Sequence, residues 1–253
     1  MISSAEDILE QLRSVSTNPK TLGDFDTPKL ASAASSKIFH HLSTNFDSRH
    51  GGFSVHGPKF PSPAQSLDFL TSYAARPPQP PTESGERDIG LETRRRAAYM
   101  VVRTLKGIWE GGIRDHVGGG VARYSVDERW HVPHFEKMLY DQGQLARTTL
   151  LTSLLPDELL SFAESSTAFS ADPPDVSRKM LRDLASNILE YTERDLLDKA
   201  PDRGAFWSAE DADSRETFSD ATGLPRGPYT YRPFAKRFLT FCTLRGFILR
   251  VDS

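Results

Sequence analysis

The sequence predicts an all-α fold, and three features carry the prediction. Apolar residues recur every three to four positions over long segments, strict apolar–polar alternation is almost absent, and glycine-marked loops return after every second helical segment. The first stripe is Leu30, Ala34, Ile38, Leu42 and Phe46, which lines one face of a helix. A second helix fits Ala64, Leu67, Leu70 and Ala74. A third runs from about Glu92 to Trp109 with Ala98, Val101, Leu105 and Ile108 inward. The fourth is expected to begin after Pro133, whose fixed φ suits a first helical position, and to bury Phe135, Met138, Leu139, Leu145 and Ala146. The fifth, near Arg178 to Leu197, buries Leu181, Leu184, Ile188 and Tyr191, and residues 5 to 15 read as a further short helix.

The loops repeat as well. DSRHGGFS (Asp47 to Ser54), WEGGIRD (Trp109 to Asp115) and PDRGAFWS (Pro201 to Ser208) each run from polar residues through Gly-Gly or Gly-Ala to an apolar or aromatic residue. Glycine there suits helix termination and turns with φ > 0. The repeating unit is therefore a helical hairpin, with the marked loops gathered at one end, where sites are commonly built. PPQPP (Pro77 to Pro81) and the small, polar Ser161 to Asp175 read as surface insertions. From Gly223 onward the chain loses helical periodicity and carries six basic residues against one acidic. The domain reading is a linker or short helix over 1–28, helical hairpins over 29–222 and an irregular tail over 223–253.

Composition narrows the function classes. At 253 residues, 38% hydrophobic and net charge −3, the chain suits a globular protein with a sizeable core and lacks the basic excess of a nucleic-acid binder. It has no basic-then-apolar leader and no run approaching a membrane span, so no membrane partner is implied and a cytoplasmic location is expected. Cys242 is the single cysteine, which excludes an internal disulfide and a CxxC motif.

Three segments carry a family resemblance: GGFSVHGPKFPSP (Gly51 to Pro63), GGIRDHVGGGVARYSVDERWHVPHFEKMLYDQGQLA (Gly111 to Ala146) and FWSAEDADS (Phe206 to Ser214). In that order they resemble signature segments of the spermatogenesis-associated protein 20 family. Members of that family look like a thioredoxin-like domain followed by a six-hairpin glycosidase-like toroid akin to sugar epimerases. The resemblance implies a partial (α/α) toroid here, spanning roughly residues 29 to 214. The thioredoxin-like domain is expected upstream of residue 1, and only about half of a twelve-helix toroid is expected. Ala122 stands where the family usually has a histidine before its Arg-Tyr pair. The tail is expected to be a gene-model artefact.

The candidate chemistry concentrates in the central segment. On a helix starting at Pro133, His134 and Asp141 share a face with Lys137 or Met138 while Glu136 points away. This makes His134 a proton-transfer group and Asp141 its orienting carboxylate. Arg123, Tyr124 and Trp130, beside the triple glycine, supply the charged and planar groups that saccharides need. Asp115 and Asp127 flank the same glycines, and Glu210, Asp211 and Asp213 follow Phe206-Trp207, so paired carboxylates for glycoside chemistry are available. The resulting set is His134, Asp141 and Asp127 as catalytic groups, and Arg123, Tyr124, Trp130, Asp115, Trp207 and Asp211 as substrate-binding groups.

No cofactor is implied: the glycines lack the Lys-Ser or Lys-Thr of a phosphate loop. No metal site is implied either. Pro133 spoils helical spacing in HVPH (His131 to His134), and EDAD lacks the glycine and terminal glutamate of a calcium loop. In GPKFPSP, Lys59 can reach a site, but the flanking prolines read first as rigid entry to a helix. The expected ligand is a saccharide, the expected activity that of a sugar epimerase or glycosidase. The alternatives are an interaction module beside the thioredoxin-like domain and an inactive truncated product.

Overall fold

The computed structural model describes residues 27–61, 64–77, 90–160, 174–199, 204–212 and 239–240. The expected short helix at 5–15, the Pro78–Pro81 part of the linker, nearly all of the insertion at 161–175 and all of the tail except Leu239–Thr240 lie outside them. The chain divides into two units between Ile38 and Phe39. Of the first unit, Thr27–Ile38 is described and is helical.

The fold is predominantly helical, as the periodicity predicts. The helices are α1 (Thr27–Asn45), α2 (Ala64–Ala75), α3 (Leu91–Glu110), α4 (Leu139–Ser153), α5 (Asp157–Leu160) and α6 (Pro174–Tyr191), which continues as a π-helical turn over Thr192–Leu196. Among the described residues, none of these helices is long and apolar enough to cross a membrane. Two-residue antiparallel strands make up the rest: β1 (Tyr124–Ser125) with β2 (Pro133–His134), β3 (Lys137–Met138) with β5 (Ala209–Glu210), and β4 (Phe206–Trp207) with β6 (Leu239–Thr240).

Helix α3 is buried along one whole face. Its inward stripe, Ala98, Val101, Leu105 and Ile108, is fully buried against Leu67, Leu70 and Tyr73 of α2 and Leu184 and Ile188 of α6. Helix α4 packs between α2 and α6, and its buried side is rich in hydroxyls: Thr152 Oγ1 lies 3.0 Å from Thr71 Oγ1 and also donates to the Thr148 carbonyl at 2.8 Å. Those bonds satisfy polar groups that burial would otherwise penalise. In α1, Leu42 is buried together with Phe46 just beyond the helix, whereas Leu30 and Ile38 are exposed, so the predicted stripe is buried only at its C-terminal end.

The start of α4 corrects the sequence reading. Pro133 is not a first helical residue but the first residue of β2, and the helix begins at Leu139 after an extended Met138 (φ −96°, ψ 133°). Phe135, expected inside, is 53% exposed. Tertiary partners draw the segment out: Arg123 N donates to Glu136 O at 2.7 Å, Lys137 pairs with Glu210, and Leu139 N donates to Ser208 O at 2.9 Å. Strands contributed from elsewhere in the chain outbid local helix propensity. As a result, His134 and Asp141 do not share a helical face.

The repeat read in the loops is present, with its second copy displaced. In the loop after α1, Asp47 N donates to Gly52 O, Gly51 N donates to Asp47 O, and the amides of Arg49 and His50 donate to Asp47 Oδ1 at 2.9 and 3.1 Å. The Lys59 ammonium binds both Asp47 Oδ2 and the Gly51 carbonyl and lies 5.6 Å from the centre of the Trp130 ring. The same clasp recurs at Asp115, not at Gly111-Gly112. Asp115 N donates to Gly120 O, Gly119 N to Asp115 O, and the amides of Val117 and Gly118 to Asp115 Oδ1. Lys137 Nζ lies 2.8 Å from Asp115 Oδ2 and 2.9 Å from Gly119 O, and 4.4 Å from the centre of the Tyr191 ring. Gly51, Gly52, Gly119 and Gly120 all have φ between 76° and 87°, which L side chains resist. The loop after α6 closes similarly, Asp198 N donating to Ala205 O at 2.8 Å.

Candidate functional site

The Asp115 clasp, residues of β2, β3 and β5 and the π-helical turn line a cleft of about 660 Å³. Its apolar wall is Ile113, Ala122, Pro133 and Phe135. Its polar lining comes from separate stretches: Arg114, Asp115 and His116; Lys137; Tyr191, Arg194 and Asp195; and Glu210 and Asp211. Ala122, where the family resemblance leads one to expect a histidine, contributes only a methyl group to this wall.

Several of the charges are committed to structure. Asp115 is held from both oxygens, by the loop amides on Oδ1 and by Lys137 on Oδ2. Burial alone would raise its pKa, but the Lys137 ammonium and the amides of Gly118 and Val117 outweigh burial and keep it below the ordinary 3.8. The matching clasp at Asp47 holds its carboxyl low by the same balance of burial against Lys59 and two amides. That copy is buried against Trp130 and does not line the cleft, so the Asp115–Lys137 pair is first of all a loop clasp. Arg194 binds the Gly118 carbonyl and lies 2.5 Å from Asp195 Oδ2, tying the π-helical turn to the clasp.

Groups facing the cavity with less structural work remain. Tyr191 donates to Glu210 Oε2 at 2.6 Å; burial, then the bond to Glu210 and that residue's charge, push its phenol well above the ordinary range, so it stays protonated. Glu210 thus offers a carboxylate oriented by a fixed donor, with Asp211 beside it. Arg114 is posed by its own network: Nε donates to the Trp109 carbonyl at 2.8 Å, and the guanidinium carbon lies 3.9 Å from the centre of the Trp109 ring.

Of the residues singled out in the sequence, Asp115, Glu210 and Asp211 line the cleft, and Asp213 is outside the described residues. The others lie elsewhere. Trp130 is 1% exposed, and its indole Nε1 donates to the His50 carbonyl at 2.9 Å, beneath the loop of the first clasp. Asp127 accepts from the amides of Arg129, His131 and Val132, which hold its carboxyl low against the opposing effect of burial. Asp141 is buried, 3% exposed, in the first turn of α4. Trp207 is half-buried in β4. His134 stacks on Tyr124, centroids 4.7 Å apart and 14° from parallel, and its Nδ1 lies 3.7 Å from Glu136 Oε2, which also binds Arg123 Nη1 at 2.8 Å. These last four residues form a cluster of their own on the β1–β2 ribbon. Arg114, Lys137, Tyr191 and Arg194 were not singled out from the sequence. The signal for Lys137 was present in the paired Asp-x-x-x-Gly-Gly of DSRHGG and DHVGGG, each followed by a lysine.

The carboxylate pKa directions carry a pH prediction. Asp47, Asp115 and Asp127 all titrate below their ordinary 3.8 in the folded chain. Lowered folded values mean the carboxylates bind protons more readily when unfolded, so their contribution is complete above pH ~4 and is lost as pH falls through the folded values. Thermal midpoints measured from pH 7 to 3 are expected to change little in the upper range on account of these groups and to drop steeply below about pH 4. Asp115→Asn is expected to shrink that acid-side drop.

The chain is 40% identical over 195 residues to spermatogenesis-associated protein 20 of Homo sapiens, covering 77% of this chain and 20% of that protein. The Mus musculus protein of the same name is 39% identical over 194 residues. An uncharacterized protein of Caenorhabditis elegans is 36% identical over 177 residues. The chain spans about a fifth of the length of these curated relatives. No family model matches it.

Proposed function

We propose that this similarity to part of spermatogenesis-associated protein 20 marks a carbohydrate-active helical domain, a partial (α/α) toroid, whose ligand is a saccharide held in the 660 Å³ cleft. The observation that carries the reading is the cleft itself. Its volume lies within the roughly 300–1,000 Å³ of small-molecule sites, and its lining combines apolar side chains with carboxylates and cations. A sugar ring offers C–H faces to such a wall and hydroxyls to such polar groups. Glu210, oriented by Tyr191, is the proposed base or hydroxyl acceptor, and Asp211 its companion.

The test is thermal stabilisation of the full chain by a panel of monosaccharides and disaccharides. A true ligand at one hundred times its Kd is expected to add about 2.7 kcal/mol. Glu210→Gln, which still accepts the Tyr191 hydrogen bond but carries no charge, is expected to weaken that ligand about tenfold, or ~1.4 kcal/mol. Absence of stabilisation by every member of the panel sinks the reading.

A second reading, an interaction module without chemistry, is favoured by the β1–β2 ribbon. Strand alternation puts Val126 on the side of Tyr124 and Val132 on the side of His134; both valines are more than half exposed, and Phe60 packs on Tyr124 with centroids 5.0 Å apart. Loss of a partner on Val132→Asp, with saccharide binding unchanged, would support it.

A further inference from the structure

We infer that the ligand of the cleft carries an oxyanion, a carboxylate or a phosphate group, which seats on the guanidinium of Arg114. The inference rests on the saccharide reading above and narrows its substrate class.

The charges of the cleft do not cancel evenly. Lys137 is neutralised by Asp115 at 2.8 Å and Arg194 by Asp195 at 2.5 Å. Among the described residues Arg114 has no carboxylate within ion-pair distance, and its hydrogen bonds are to neutral groups. Nε donates to the Trp109 carbonyl at 2.8 Å, and Nη2 lies 2.5 Å from His116 Nδ1. A guanidinium has no lone pair to offer, so Nη2 donates and His116 Nδ1 accepts; the other ring nitrogen, Nε2, then carries the proton and donates to the Gly111 carbonyl at 3.1 Å. His116 therefore meets the guanidinium through an acceptor nitrogen and brings it no counter-charge. The Trp109 ring, 3.9 Å from the guanidinium carbon, covers one face of the plane, and the bridge between Arg114 and Val121 fixes the backbone beneath it. What remains is a planar, half-buried cation, locked in pose, with N–H groups of its fork still available at the wall of a cavity.

Such a group is built for a planar or tetrahedral oxyanion, which a guanidinium binds with two parallel hydrogen bonds. Partial burial disfavours the charged form of Arg114, and an arriving anion relieves that cost. The same cleft suits the rest of the molecule: Glu210 and Asp211, which also line it, offer carboxylates that accept hydrogen bonds, as sugar hydroxyls require. Oxyanion at Arg114 and hydroxyls at Glu210 fix the direction in which the ligand lies.

The experiment titrates the full chain with glucose, glucuronate, glucose 6-phosphate and inorganic phosphate, and reads affinity by calorimetry. Arg114→Gln and Arg114→Lys are run alongside, and circular dichroism confirms that both variants fold. The expected result is that glucuronate or glucose 6-phosphate binds wild type at least tenfold more tightly than glucose. Arg114→Gln is expected to bring the two within twofold, and Arg114→Lys, which keeps the charge but not the fork, to fall between. A preference for glucuronate identifies the oxyanion as carboxylate, and one for glucose 6-phosphate as phosphate. If acidic and neutral sugars bind wild type alike, or the preference survives Arg114→Gln, the inference falls and the saccharide cleft stands. If inorganic phosphate binds and is lost in Arg114→Gln while no sugar binds, the oxyanion seat stands and the saccharide reading falls. Silence from all four probes overturns both.

Discussion

Replacing Lys59 with methionine is expected to lower the unfolding free energy by about 3–5 kcal/mol, a large part of the roughly 5–15 kcal/mol that holds a typical domain together. The ammonium is buried, its side chain 1% exposed, and it binds the Asp47 carboxylate and the Gly51 carbonyl at once. Methionine fills much of the volume but leaves a carboxylate, itself 7% exposed, with only the amides of Arg49 and His50 as partners. The cost comes from the stranded charge and not from a lost attraction alone. Lys59→Met combined with Asp47→Asn is therefore expected to recover at least half of the loss, because the amide side chain still accepts from those two amides without a charge. Chemical denaturation of the three proteins decides the point: a double variant no more stable than the single one would refute the account.

Trp130→Ala is expected to cost a further ~3–5 kcal/mol as a separate variant. Three glycines make room for Trp130, Gly52 and Gly107 against its indole and Gly111 against its backbone and Cβ. A methyl group on Gly52, Gly107 or Gly111 would fall within 2.9 Å of a Trp130 atom, and the same ring covers the Lys59 clasp. Alanine at 130 would open a cavity among backbone segments that cannot collapse into it, and would orphan the His50 carbonyl. Residue 130 also has φ 64°, so Trp130→Gly relieves backbone strain while losing the same packing. Glycine is thus expected to be no worse than alanine there, against the usual order. Trp130→Phe should cost less than either, since it keeps most of the buried area and loses the indole hydrogen bond, worth about 1 kcal/mol. A Trp130→Ala variant of wild-type stability that lost only ligand affinity would return Trp130 to the binding role assigned from the sequence.

The two substitutions meet at one place, the junction of the first clasp with α3, and their effects should not add. That junction also shows how repetition separates structure from function. The Asp47 clasp and the Asp115 clasp share their hydrogen bonds, their positive-φ glycines and their lysine over an aromatic ring. One is sealed under Trp130 and the other opens on a cavity. Chemistry is to be sought in what the second copy has and the first lacks: the cavity, Glu210 under the Tyr191 hydroxyl, and the Arg114 fork.

Sequence alone determined the helices whose buried faces are long and regular. The stripes of α2, α3 and α6 have periods that admit one orientation, and Leu67, Leu105, Leu184 and Ile188 are buried where periodicity puts them. It also determined that glycine-marked loops repeat, since glycines at positive φ are selected by backbone sterics that act locally. What it could not decide was anything settled by a distant partner. Pro133–His134 and Lys137–Met138 were read as the start of a helix, yet become strand because β1 and β5 supply partners from before and after them in the chain. His134 and Asp141 lost their shared face with that change, and Trp130 turned inward because glycines far apart in sequence leave a slot of its shape. The cleft was least legible of all. Arg114, Lys137, Tyr191 and Glu210 come from separate segments, and a cavity is a property of how those segments pack, which no local pattern encodes.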